Sequence, residues 1–354
     1  MPSFRRSTAL LAGFLVAGTI GVTSRQRPLP PPDATTRAVA AAEAFLATLD
    51  QKQRLKANIE LNDTTRIVWS NLPSGSKLQV GATERNGLKL GDMTPPQEKA
   101  ALALLAATLS RDGLQKAMAI VDADQDLETR SAPTRKPGSA VRFGGAEYYV
   151  AILGKPSTTS KWMMQFGGHH LAINVTLAGQ QNVLAPTHTG TQPATYTLDG
   201  RTVRPLGDEN DKAFALINAL NADQQKQAIL GVEVQNLVLG PGVDGKTISP
   251  EGARVSTFTA AQRAMLVDLV REWVEILSDE AAAAKMKEVQ AGLDDTYFAW
   301  AGSTTNGNGA YFRIQGPALL IEYAPQGPAA SNTDHIHTIY RDPTNDYAAK
   351  AAVR

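Results

Sequence analysis

The chain contains five histidines, His169, His170, His188, His335 and His337, and no cysteine. Imidazole is the side chain best suited to metal ligation and proton transfer near neutrality. His335 and His337 lie in Asp334-His-Ile-His-Thr-Ile-Tyr340, an alternating run that reads as a strand. Positions two apart on a strand share a face, so the pair presents two neutral imidazoles side by side, a familiar way to hold one metal ion. Upstream, Phe166-Gly-Gly-His169-His170-Leu-Ala-Ile-Asn174 reads as a glycine bend leading into a strand. Alternation then puts His170 with Ala172 and Asn174 on one face and His169 on the other. The glycines allow another backbone or a ligand to come close.

A carboxylate, Glu322, interrupts the apolar run at 318–323 just before the histidine strand. Antiparallel pairing of these two segments is expected to bring Glu322 beside His335. Two imidazoles and a carboxylate, joined by His170 or His169, form the donor set of many open metal sites, with zinc, iron or copper as the expected ion. Glu322 is then the expected catalytic carboxylate. Arg341, directly after the strand, could grip a substrate carboxylate or phosphate through its planar fork. Other readings stay open. The histidines could act without metal, as catalytic or ligand-binding groups, or the His-x-His pair could be structural. Arg341 could simply pair with Asp342, Asp346 or Glu322 and tie down the C-terminal segment.

Other chemistries find little support. The chain has no Gly-x-Ser-x-Gly elbow, no phosphate-binding Gly-x-x-x-x-Gly-Lys-Ser/Thr loop and no His-Glu-x-x-His helix. Without cysteine there are no disulfides and no thiolate sites. Thirty-five basic residues against 34 acidic ones give a net charge of +1, with no basic stripe to hold nucleic acid. A hydrophobic share of 43% is ample for a large core.

The elements that must position the histidines come in two kinds. A capping residue followed three positions later by glutamine occurs at Asp50/Gln53, Thr94/Gln97, Asn221/Gln224 and Thr259/Gln262. Each is a capping box opening a helical pattern. Their spacing is irregular, which argues for reused punctuation and against a solenoid. Helices are expected over 37–49, 50–58, 97–109, 114–123 (set off by Gly113), 212–220, 223–230, 260–277 and 278–293. Strands are expected over 147–153, 162–176, 299–323 and 335–340, with a hairpin over 195–205 turning at Asp199-Gly200. This mixture predicts an α+β fold: a helical N-terminal part packed on a mixed or antiparallel sheet formed mainly by the C-terminal two thirds.

The N-terminus predicts export to the periplasm or the cell exterior. Arg5 and Arg6 precede an apolar stretch at 9–22, too short for a comfortable membrane span, so residues 1–24 read as a signal peptide. Residues 25–36, rich in proline, read as a linker, and 37–354 as one domain. After cleavage no membrane attachment is expected, and the partner implied is a small-molecule substrate.

Four stretches carry a family resemblance: Trp162-Met-Met-Gln-Phe-Gly-Gly-His-His-Leu-Ala-Ile-Asn174, Asp199-Gly with Pro205-Leu-Gly, Tyr311-Phe-Arg-Ile-Gln-Gly-Pro with Leu320-Ile-Glu-Tyr323, and His335-Ile-His-Thr-Ile-Tyr-Arg-Asp-Pro-Thr-Asn-Asp-Tyr347. They resemble the bacterial family catalogued as domain of unknown function 3500. The resemblance covers most of the chain after about residue 40. It implies an exported protein and supplies no reaction. His188 falls outside the shared motifs and is set aside on that ground.

Overall fold

The computed structural model describes residues 33–327 and 333–351. The expected signal peptide, and the expected linker as far as residue 32, lie outside the described residues.

Local signals build the helices. All four capping boxes form, opening α2 (Gln51–Ala57), α3 (Pro95–Thr108), α6 (Ala222–Ala228) and α7 (Ala260–Val274). Asp33 caps α1 (Ala34–Ala47) by accepting from the Thr36 amide at 2.8 Å. α5 spans Gly207–Ala219 and α8 spans Asp279–Ala291. Gly113 does not set off a separate helix. α4 is continuous from Arg111 to Ser131, and Gly113 lies in its first turn, donating to the Ser110 hydroxyl at 2.9 Å. Its missing side chain leaves room for the backbone of Ile276.

Among the described residues, twelve strands form one sheet. Up to residue 191 these are β1 (Asn58–Ile59), β2 (Leu88–Lys89), β3 (Tyr149–Leu153), β4 (Trp162–Gly168), β5 (Leu171–Ala178), β6 (Gln181–Val183) and β7 (Thr187–Thr191). β8 (Tyr196–Leu198) and β9 (Arg201–Val203) form a separate hairpin turning at Asp199-Gly200, both in the left-handed region as expected. β10 (Ala253–Arg254), β11 (Tyr297–Gly302), β12 (Ala310–Gly316), β13 (Leu319–Pro325) and β14 (Ile336–Arg341) complete the sheet. Its main path runs β1-β3-β4-β5-β7-β14-β13-β12-β11-β10, antiparallel except for β1 against β3. The fold is therefore α+β with a mixed, mainly antiparallel sheet.

One face of the sheet carries Ile173, Phe312, Ile321 and Tyr340 into the main core, where the helices supply Phe45, Leu104, Ile120 and Trp273. The other face is polar along much of its length, and irregular segments cover it. Trp69 and Leu239 from those segments meet Ala172, Leu320 and Ile339 of the sheet in a second, smaller apolar cluster.

The element order repeats. A helix pair, a short strand, a second helix pair and three antiparallel strands occur once before β7 (α1–α2, β2, α3–α4, β3–β5, with β1 and β6 as additions) and again before β14 (α5–α6, β10, α7–α8, β11–β13). Gln53 and Gln97 of the first set exchange amide hydrogen bonds at 2.8 and 3.3 Å. Gln224 and Gln262 of the second do the same at 2.9 and 3.1 Å. Gly87 and Gly252, with φ of 101° and 103°, each precede a short strand at a place where a Cβ would collide with a carbonyl, of Val150 in one half and Phe298 in the other. The hairpins match as well: Gly168 pairs with Leu171 across one turn and Gly316 with Leu319 across the other. The irregular spacing of the capping boxes thus conceals a twofold internal repeat, with β7 and β14 side by side at the centre of the sheet.

Candidate metal centre

The first hairpin turn is made of histidine. The expected glycine bend is not a bend: Gly167 and Gly168 are strand residues, paired with Ala172 and Leu171, and His169-His170 form the two-residue turn. At Gly168 the absent side chain is filled by the Tyr148 ring, which a Cβ would approach to 2.7 Å. The Tyr148 hydroxyl donates to the His169 carbonyl at 2.6 Å and pins the turn. His170 is left-handed, φ 65°, a conformation that costs a non-glycine residue about 1–3 kcal/mol and persists where its surroundings fix it. Strand alternation does not operate at this turn. The rings of His169 and His170, expected on opposite faces, lie together with centroids 3.6 Å apart.

The turn meets the histidine strand. His170 Nε2 lies 2.8 Å from His335 Nε2, which lies 3.1 Å from His337 Nε2. These three donors, from both halves of the repeat, could hold a metal ion. His188 extends the cluster, its ring centroid 5.0 Å from that of His337. All five histidines are therefore linked by ring contacts, although 168 positions separate the first from the last. His170 and His188 are fully buried, His169 and His337 nearly so, and His335 is the half-buried member on the accessible side.

Burial favours the neutral form of four of these rings, those of His170, His188, His335 and His337. It holds His170 and His337 well below the ordinary imidazole range, with the neighbouring histidines adding to the effect. It lowers His335 to about 4 and His188 to about 3. Neutral imidazoles offer lone pairs, which a metal ion needs and a proton would occupy.

A carboxylate does reach the cluster, from an unexpected direction. Asp124 of α4, fully buried, lies 2.6 Å from His169 Nδ1 through one oxygen and accepts the Gly144 amide at 2.8 Å through the other. Asp124, His169 and His170 form a second group of donors that could hold an ion, sharing His170 with the first. The sequence held a signal for Asp124. Ala117, Ile120 and Val121 are buried positions of α4, and Asp124 continues their helical stripe. A carboxylate on an apolar stripe needs a partner.

Glu322 and Arg341 are not brought to the histidines. The β13–β14 register places Glu322 opposite Ile339, and it is Ala324 that faces His337. Glu322 accepts from the Tyr311 hydroxyl at 2.7 Å and from the amides of Val238 and Leu239 at 3.1 and 2.7 Å. Arg341 donates to the carbonyls of Leu239 and Gly240 and to the carboxylates of Asp244 and Asp346. From neighbouring positions on one face, the two residues clamp the covering segment around Leu239. His188, outside the shared family motifs, nonetheless lies in the cluster: β7 pairs with both β5 and β14 and carries it beside His337.

The family described as "Protein of unknown function (DUF3500)" matches residues 32–349, and the chain belongs to it. No curated protein and no solved structure matches the chain.

Proposed function

We propose that this member of the family is an exported metal-dependent enzyme, hydrolytic or oxidative, whose ion is held by Nε2 of His170, His335 and His337. One observation carries the metal. His335 Nε2 has two other imidazole nitrogens within 3.1 Å, yet a neutral ring nitrogen has one proton or one lone pair. It can satisfy one such contact and not both; a shared cation satisfies all three. Ligands at a metal–nitrogen bond of about 2.0–2.1 Å stand roughly 2.8–3.0 Å apart at a right angle and about 3.3–3.4 Å apart in a tetrahedron. The separations of 2.8 and 3.1 Å fall close to the spacing that ligands of one ion require. An all-imidazole set suits zinc, copper or iron.

The catalytic reading rests on the Asp124–His169 pair. A carboxylate that orients an imidazole next to a metal site is the usual arrangement for moving a proton to or from a bound water. His169 and Asp124 take the place first expected of Glu322 and Arg341. Export is supported by Arg5-Arg6 and the apolar stretch after them. A second reading, a non-catalytic metal or small-ligand carrier, is favoured by the depth of burial of His170 and His337. Elemental analysis of the native protein tests the core of the proposal. About one transition-metal ion per chain is expected, lost in His335→Ala; a metal-free native protein that takes up no zinc, copper or iron sinks it.

A further inference from the structure

Asn71 touches both segments that supply the site. Its carbonyl accepts from the His170 amide at 3.1 Å, and its side-chain amide nitrogen lies 3.2 Å from His337 Nδ1. It is buried, and its segment is fixed to the hairpin by Arg85, which donates to the carbonyls of Ser70, Leu72 and Gly168. Behind it runs a chain of like groups. Gln79 Nε2 donates to Asn71 Oδ1 at 2.6 Å, and the Ser70 hydroxyl donates to Gln79 Oε1 at 2.6 Å. Gln79 is exposed, so the chain reaches the surface.

This arrangement suits only one tautomer of His337. An amide nitrogen can only donate, so His337 Nδ1 accepts and its proton sits on Nε2, aimed at His335. A ring in that state cannot ligate a metal through Nε2. Ligation requires the proton on Nδ1, which then needs an acceptor. A half-turn of the Asn71 amide supplies Oδ1 to His337. The same turn sends Asn71 Nδ2 toward Gln79, whose own half-turn presents Oε1 to it and Nε2 to the Ser70 oxygen. All three hydrogen bonds survive with their direction reversed. Resting on the metal site proposed above, we propose that Asn71 is the positioning residue that sets the His337 tautomer, and that the Asn71–Gln79 amide pair reverses when the ion binds.

Long-range proton–nitrogen NMR of histidine-labelled protein tests this, with zinc added and with zinc removed by chelator. The expected result is a His337 proton on Nε2 without zinc and on Nδ1 with it. Asn71→Asp, an acceptor only, should hold the proton on Nδ1 even without zinc and keep its zinc affinity. Asn71→Leu should weaken zinc binding by about 10–100-fold, the usual loss when the hydrogen-bond partner of a metal-bound histidine is removed. If Asn71→Leu does not fold, the Asn71→Asp tautomer decides. The relay is overturned if the tautomer is the same with and without zinc, or if Asn71→Leu binds zinc as tightly as the parent while His335→Ala does not. If His335→Ala also binds normally, the metal site itself is wrong.

Discussion

His170 Nε2 and His335 Nε2 stand 2.8 Å apart across 165 positions of sequence. An ion held between them would tie the first half of the repeat to the second. Binding the folded chain and not the unfolded one, it would add stability by mass action, about 4 kcal/mol at 1,000 times its Kd. Chelation should lower the melting temperature by several degrees, and zinc should restore it. In His170→Ala the two melting curves should coincide; a chelator effect that persists there would place the ion elsewhere.

The two donor groups can be told apart. If the ion sits on His170, His335 and His337, Asp124→Asn should keep it and lose about 1–3 kcal/mol of stability through the weakened His169 contact. His335→Ala should lose the ion. The reverse pattern, measured by metal content and urea unfolding, would move the ion to Asp124, His169 and His170.

Glu322 should behave as a clamp. Glu322→Gln removes the charge and one of the acceptors serving Val238, Leu239 and Tyr311. A loss of about 1–3 kcal/mol is expected, with metal content unchanged. Loss of metal at full stability would return Glu322 to the ligand set.

Asp346 should give the stability curve a slope in mild acid. Burial pushes its carboxyl up to about 6, outweighing its bond to Arg341, whose cation it shares with Asp244. A carboxyl raised in the folded state takes up its proton more readily there than in the unfolded chain. Its contribution is therefore fully present below the ordinary carboxyl range, near pH 4, and is lost as pH rises through about 6. The cost of Asp346→Asn should be largest near pH 4 and shrink by pH 7. A cost that grows with pH would reverse the sign.

The exported chain should begin near Arg25 and be found outside the cytoplasm. N-terminal sequencing of the protein from its native host checks this, and an intact Met1 on cytoplasmic protein would refute it.

What could be read from the sequence was local. Capping boxes at Thr94/Gln97 and Thr259/Gln262, and the Asp199-Gly200 turn, rest on neighbours within four positions, and they formed as expected. The face shared by His335 and His337 needed only strand geometry. Glu322 lies away from the histidines because strand register depends on the length and path of the connection, which the sequence does not measure; an offset of four positions puts Gln326, and not Glu322, across from His335. Asn71 and His188 come from segments whose neighbours are set by the whole sheet, so no local pattern marks them. The repeat was hidden because its signature is pairing between glutamines, Gln53 with Gln97 and Gln224 with Gln262, and not a fixed period.

The repeat also makes this molecule a tethered dimer with unequal partners. The turn that carries His169-His170 in one half is Pro317-Ala318 in the other, so a single centre is assembled where symmetry would allow two. His170 stands on one side of the tether, and His335 and His337 on the other. The 192–206 connection thus sets the effective concentration at which the half-sites meet. If it were cut, forming the site would require the two fragments to associate as well as the ion to bind, and the apparent ion affinity would depend on fragment concentration.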